Sequence, residues 1–377
     1  FYSCRFAFFM QYGLKAKPRR VAKFDALSTG TFIHYVLEHA LDALGKCEGG
    51  AAHADQPTVR KACREAVRQY VAEELGGLEN KTARFQYLFR RLVRAVEQIL
   101  DNVIEELRVS DFAPIDYELD FSRSGDLPPV QCEDGDVSVS LSGKVDRVGG
   151  YIKNGRLYLR VMDYKSGKKS FSLSDIWYGL NMQLIIYLYA LQQEGLDRYR
   201  ARLTAELNEI VPAGVLSVPV RDELPDAARD TDEEGLRILR DKALRRSGLL
   251  SDDMSLLEAM EHGLEGDGRF IPVSIKTGKG EDEPTLAAKS AVADLAKFGR
   301  LARYTQKKLL EMGQALRNGR IEADPRKTDR SYCEWCDFRQ ACRFDETAGD
   351  KVRWLKNIKD KEFWEQLGGD DNAEVDT

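Results

Sequence analysis

Residues 152–157 read Ile-Lys-Asn-Gly-Arg-Leu, between the β-rich runs "DVSVSLSGKVDRVGG" and "RLYLRVMDYK". Asn-Gly flanked by such runs predicts a two-residue type I′ hairpin turn, which sets the register of both strands. With Asn154 and Gly155 as the loop, Lys153 faces Arg156 and Asp146 faces Asp163, unless a bulge at Gly149-Gly150 shifts the pairing. Alternation puts Leu157, Leu159 and Val161 on one face and continues that face through Asp163 and Lys165. An apolar face that ends in a carboxylate and an ammonium needs a reason, because unpaired buried charge is costly. Two carboxylates directly across a sheet lie about 4.5–5.5 Å apart at Cβ and repel. A divalent cation between them turns the repulsion into a site. Oxygen ligands with open positions suit Mg²⁺ or Mn²⁺, and Lys165 would stand beside a bound water or a phosphate oxygen. The bland alternative, a solvated Asp–Lys pair on an edge strand, explains neither the matched Asp146 nor the apolar approach.

The cysteines impose a second constraint. Seven are present, odd in number and scattered, which argues against a secreted disulfide framework. Cys47, Cys63 and Cys132 read as small hydrophobes. Cys333, Cys336 and Cys342 are crowded into "SYCEWCDFRQACRFD" beside Trp335 and Phe338, a spacing that gathers thiolates around one metal or cluster. The fourth ligand that such a site wants is best supplied by Cys4, in the aromatic-rich "FYSCRFAFFMQYGL". A site built this way clasps the two ends of a single domain.

Net charge is −5 over 377 residues, so any polyanion site must be a local basic patch. The longest apolar run, "GLNMQLIIYLYAL", falls short of the ~18 residues of a membrane helix, and no signal peptide opens the chain. These features predict a cytoplasmic protein with no membrane partner. Phe1 lies within a helical pattern, as expected for a piece of something larger. One domain is expected over 1–366, with a helical layer at 1–110, a catalytic core at 111–220 and a C-terminal helical and cluster region at 221–366. A disordered tail is expected at 367–377. Helices are predicted at the stretch following Thr29 and Thr31, then at 58–75, 82–108, 174–193, 233–246 and 286–317. Strands are predicted in "PIDYELDF", the two hairpin runs and "AGVLSVPV". The basic stripe Lys297, Arg300, Arg303 and Lys307 has the pattern of a phosphate track, but a solvated helix face is the preferred reading.

"LSGKVDRV", "VMDYKSG" and "GLNMQLIIYLYAL", together with "YSCRFAFFMQYGL", "GTFIHYVLE" and "YCEWCDFRQAC", resemble the motifs of the RecB-type branch of the PD-(D/E)xK nucleases. Their order resembles the C-terminal nuclease domain of AddB subunits of bacterial AddAB helicase–nucleases, from Cys4 to Cys342. The resemblance implies an α/β, restriction-endonuclease-like mixed sheet flanked by helices, and a Mg²⁺- or Mn²⁺-dependent DNA exonuclease acting in recombinational break repair. It implies Asp146, Asp163, the Tyr164 carbonyl and His34 as metal ligands and Lys165 at the attacking water. Gln183 and Tyr187 would support the site or the DNA strand, Lys168 and Lys169 would meet phosphates, and Cys4, Cys333, Cys336 and Cys342 would hold a [4Fe–4S] cluster. The partners implied are a single-stranded DNA end and an AddA-type helicase–nuclease subunit. Two departures stand out: Arg5 where the family usually has proline, and Gly149 where many members have an acid. A self-standing RecB-like exonuclease and a non-catalytic DNA-binding scaffold with a zinc site are the competing readings.

Overall fold

In the computed structural model, residues 1–17, 26–167, 171–220, 227–228, 230–276 and 284–373 are described, without the side chains of 26–28 and 369–373. The strands are β1 (Ala113–Phe121), β2 (Val130–Asp134), β3 (Val137–Leu141), β4 (Gly143–Lys153), β5 (Arg156–Lys165), β6 (Glu209–Pro219) and β7 (Ser247–Ser251). A six-stranded sheet runs β1-β4-β5-β6-β7 and ends on the short strand Val292–Ala293. β5 and β6 pair in parallel, as do β7 and Val292–Ala293; the other pairs are antiparallel. This is the expected α/β fold with a mixed sheet flanked by helices.

Asn154 and Gly155 both take positive φ, 54° and 72°, the handedness a type I′ turn demands. β4 and β5 pair without interruption from Lys153↔Arg156 to Arg147↔Met162. No bulge shifts the ladder at Gly149-Gly150; the irregularity lies on the other side of β4, between Pro114 and Asp116 of β1.

Each face of the sheet covers a core. On one, Val36, Leu37 and Leu41 of the helix Ala26–Gly45 meet Val96 and Leu100 of the helix Ala83–Arg108 and Met162 and Tyr164 of β5. On the other, Leu157, Leu159 and Val161 meet Leu184 and Leu188 of the helix Gln183–Glu194, Leu301 of Leu295–Arg317 and Phe363 of the last helix. Period two along β5 thus feeds both cores, and each buried aliphatic side chain contributes about 1.5–3 kcal/mol.

Several expectations are corrected. The first long helix begins at Ala26, so Thr29 and Thr31 lie inside it. The stretch 174–193 is two helices, Leu173–Trp177 and Gln183–Glu194, because Gly179 and Asn181 adopt left-handed backbone (φ 74° and 52°). The predicted 286–317 helix starts at Leu295, where Asp294 caps it by accepting the Lys297 N–H at 2.7 Å. The region 221–366 is not only helical, since β7 and Val292–Ala293 complete the catalytic sheet. The helix Asp360–Ala373 runs into the expected tail, with Leu367 buried; residues 374–377 lie outside the described residues.

The two ends of the chain are joined. Ser3 O accepts from Arg326 N (2.9 Å), Tyr2 O accepts from Arg353 Nη2 (2.7 Å), and Arg5 binds Asp324 through its backbone N–H and its guanidinium, at 2.9 and 2.6 Å.

Candidate metal and catalytic centre

Past Arg147↔Met162 the hairpin ladder ends, and the Asp146 carboxylate accepts the Tyr164 N–H at 2.5 Å. The helix Ala26–Gly45, anchored by its apolar stripe, carries His34 to the same place. Its Nε2 donates to the Tyr164 carbonyl at 2.9 Å, and its Nδ1 lies 3.4 Å from Asp146 Oδ1 and 3.8 Å from Glu118 Oε1. Ligand atoms of His34, Glu118 and Asp146 all fall within 4.8 Å of one another, the one such group of three or more among the described residues. His34 and Glu118 open on a cleft of about 660 Å³ bordered by Gly30, Tyr164, Lys165 and Gly167.

Asp163 sits beside this group at the end of the apolar face of β5, buried. Its Oδ2 is enclosed and lies 2.6 Å from the Lys165 ammonium, which pairs with it. Burial and then the charge of Asp146 push the Asp163 carboxyl up to about 6, against the pull of Lys165. Burial also acts to lower the His34 imidazolium, but Asp146 and Glu118 outweigh it and raise it to about 10. Converging carboxylates that repel, with a histidine among them, form a donor set that a divalent cation fits. Lys165 Nζ donates to Gln183 Oε1 at 3.2 Å, and Gln183 Nε2 donates to Tyr187 OH at 2.9 Å. The break at Gly179–Asn181 matters here, because it makes Gln183 the first residue of its helix and turns it toward Lys165.

The structure therefore gathers His34, Asp146, Asp163, Tyr164, Lys165, Gln183 and Tyr187 at one end of the sheet. Lys168 and Lys169 lie outside the described residues. Glu118 is the residue that sequence reasoning misses. Asp116, Glu118 and Asp120 alternate along β1, and nothing in that pattern singles one out. Only the fold does so: Asp116 is taken by Arg198 and Arg202, while Glu118, at φ 45°, turns toward His34.

The basic residue next to Asp146 is fixed from below. Arg147, Arg160 and Arg246 converge on Glu106 with N–O distances of 3.0, 3.0 and 2.7 Å, all four side chains being almost wholly enclosed.

The clasp between the chain ends puts Cys4 near the C-terminal trio. Cys4 and Cys333 both act electrostatically on Cys336 and Cys342. The Phe338 and Phe344 backbone N–H groups point at the Cys336 and Cys342 sulfurs. No three of these four sulfurs lie within 4.8 Å of one another.

Residues 1–343 match the family described as the PD-(D/E)XK nuclease superfamily. The chain is 32% identical over 372 residues to a protein of Ruminiclostridium cellulolyticum named as the B-type subunit of an ATP-dependent helicase/deoxyribonuclease, covering 97% of this chain and 31% of the relative. Proteins of the same name from Thermoanaerobacter sp. (31% over 382 residues, 99% of this chain and 32% of the relative) and Clostridium botulinum (32% over 379 residues, 97% and 31%) are similar. The chain belongs to the PD-(D/E)XK nuclease superfamily. It spans about a third of the length of these relatives.

Proposed function

We propose that the chain is the metal-dependent deoxyribonuclease part of a larger helicase–nuclease subunit. It hydrolyses phosphodiester bonds at a single-stranded DNA end delivered by an AddA-type partner, during recombinational break repair in the cytoplasm. The observation that carries the reading is the meeting of His34, Glu118 and Asp146 beside the Asp163–Lys165–Gln183 chain. Among the described residues no helix is long and apolar enough to cross a membrane.

Mg²⁺ or Mn²⁺ would be held by Asp146, Asp163, His34 and the Tyr164 carbonyl, with Glu118 adjacent. When bound, such an ion makes water a competent nucleophile at neutral pH and offsets phosphoryl charge. Lys165 projects a half-exposed ammonium where it orients the attacking water and meets charge developing on the phosphate. Asp163 and Gln183 fix that ammonium between them, and Tyr187 fixes Gln183. The test is cleavage of end-labelled linear DNA with Mg²⁺, with Mn²⁺ and with chelator: degradation that needs the divalent ion is expected, and cleavage that persists in chelator would defeat the reading. His34→Ala should raise the metal concentration needed for half-maximal cleavage about 10–100-fold. An unchanged metal requirement with a lowered melting temperature would return His34 to a packing role.

We further propose that Cys4, Cys333, Cys336 and Cys342 hold a [4Fe–4S] cluster. Its support is the clasp that brings Cys4 to the trio and the backbone N–H groups at two of the sulfurs. Ligand binding at such a site is coupled to folding, and joining the two ends restricts the unfolded chain. Cys4→Ala should therefore lose the iron and become protease-sensitive, while Cys47→Ala, Cys63→Ala and Cys132→Ala keep both iron and resistance. Full iron content in Cys4→Ala, or zinc in the anaerobically purified wild type, would remove the cluster from this account.

A further inference from the structure

A groove of about 820 Å³ runs along the helix Leu295–Arg317. Its cations are Arg300, Arg303, Lys307 and Arg320, and its carboxylates are Asp134 and Glu311. The first three are spaced to share one face of the helix, and the Arg300 Nε is enclosed without a hydrogen-bond partner. On a chain of net charge −5, four cations against two carboxylates give this groove a local positive excess, carried mainly by the helix because Arg320 is paired with Glu322. The opposite wall is the tip of the β2–β3 hairpin, Asp134 and Val137. At the base of the same hairpin, Val130 and Leu141 line an apolar pocket of about 250 Å³ together with Gln183 and Tyr187. One hairpin thus forms a wall from the catalytic centre to the basic groove. At ~3.4 Å per residue β2 covers about 14 Å, the length of about four stacked nucleotides.

We propose that this groove holds the phosphates of the DNA strand under cleavage, a few nucleotides from the scissile bond. The inference rests on the nuclease reading and adds the path of the substrate. The flexible backbone of a single strand can follow the hairpin wall, and charge complementarity selects a polyanion. The sequence pattern reads the stripe as a solvated face; its three arginine and lysine residues beyond Lys297 instead form a groove wall. Lys297 itself stands apart, 3.7 Å from Asp294 and packed over the Trp364 ring.

The test compares wild type with R303Q/K307Q in the whole protein that carries this chain, with Mg²⁺ and without ATP. The substrates are an oligothymidylate too short to reach the groove and one long enough to fill it. The double variant should lose about tenfold or more in kcat/KM on the long strand, and its salt dependence should flatten by about 1.4 in log–log slope, near 0.7 for each lost phosphate contact. The short strand should be cut as by wild type, and the charge-keeping R303K/K307R should retain the long-strand rate. Equal losses on both lengths, an unchanged salt slope, or loss in R303K/K307R as well would overturn the groove. Should wild type cut neither strand, the nuclease reading fails instead, and fluorescence anisotropy of the labelled long strand decides the groove alone: equal affinity of wild type and R303Q/K307Q overturns it.

Discussion

Asp163→Ala is expected to abolish cleavage of linear DNA, lowering the rate about a thousandfold or more, with the fold retained. Asp163 follows Leu157, Leu159 and Val161 on one face of β5, all three fully buried, so the carboxylate is not there for lack of apolar alternatives. Its buried Oδ2 is paired with the Lys165 ammonium. Removing the carboxylate takes away one proposed metal ligand and releases Lys165 from its ionic anchor, so two catalytic contributions fall together. Removing a single preorganised electrostatic contact costs about 10²–10³ in rate elsewhere, and the loss here should be at least that. Stability should not fall with activity, because the variant removes a carboxyl that burial and then repulsion from Asp146 push up to about 6. Lys165→Ala should lose comparable activity while binding metal as well as wild type. The measurement is single-turnover cleavage beside a thermal melt. Wild-type cleavage by Asp163→Ala in Mg²⁺ would remove it from the site.

Glu106→Ala should be the most destabilising single substitution away from the proposed cluster. Glu106 compensates the guanidinium groups of Arg147, Arg160 and Arg246. Arg160 feels the shortage of counter-charge most: burial lowers it to about 10 despite Glu106, and its Nε and Nη1 have no hydrogen-bond partner. Breaking a buried ion set by removing one partner costs about 3–5 kcal/mol, a large share of the about 5–15 kcal/mol that holds a domain folded. The pH dependence has a definite sign. Burial alone would raise the Glu106 carboxyl, but the three arginines outweigh it and hold it well below the usual carboxylate range. Its stabilisation is therefore complete above the unfolded-state pKa of about 4.3 and is lost as pH falls below that value. Urea midpoints of wild type and Glu106→Gln should converge in acid and separate towards neutrality. Midpoints that stay equal at pH 7 would show that the arginines find other partners. Because Arg147 follows Asp146 in β4, the variant should also weaken metal binding before the domain unfolds.

The hairpin was legible in the sequence because its information is local. Asn154-Gly155 specifies a turn type, the turn specifies the register, and period two then decides which face Asp146, Asp163 and Lys165 share. Gln183 and Tyr187 were reached only through the family resemblance; their spacing of one helical turn shows that they share a face, not what that face does. The position of β7 was not, since a five-residue run becomes a strand only when β6 offers it an edge. Nor was the start of the helix at Leu295, where a capping carboxylate outweighs a pattern that would extend to 286. Glu118 and Glu106 show the limit most clearly. Each is one acid among many on its element, and its role comes from side chains far away in sequence: His34 and Asp146 for one, Arg147, Arg160 and Arg246 for the other. Local propensity and alternation carry register and face, whereas the pairing of charges buried between elements exists only once the elements have packed. The chain by itself therefore determined the hairpin and its register, and the tertiary structure alone decided which distant carboxylates come to its end and which one holds its arginines in place.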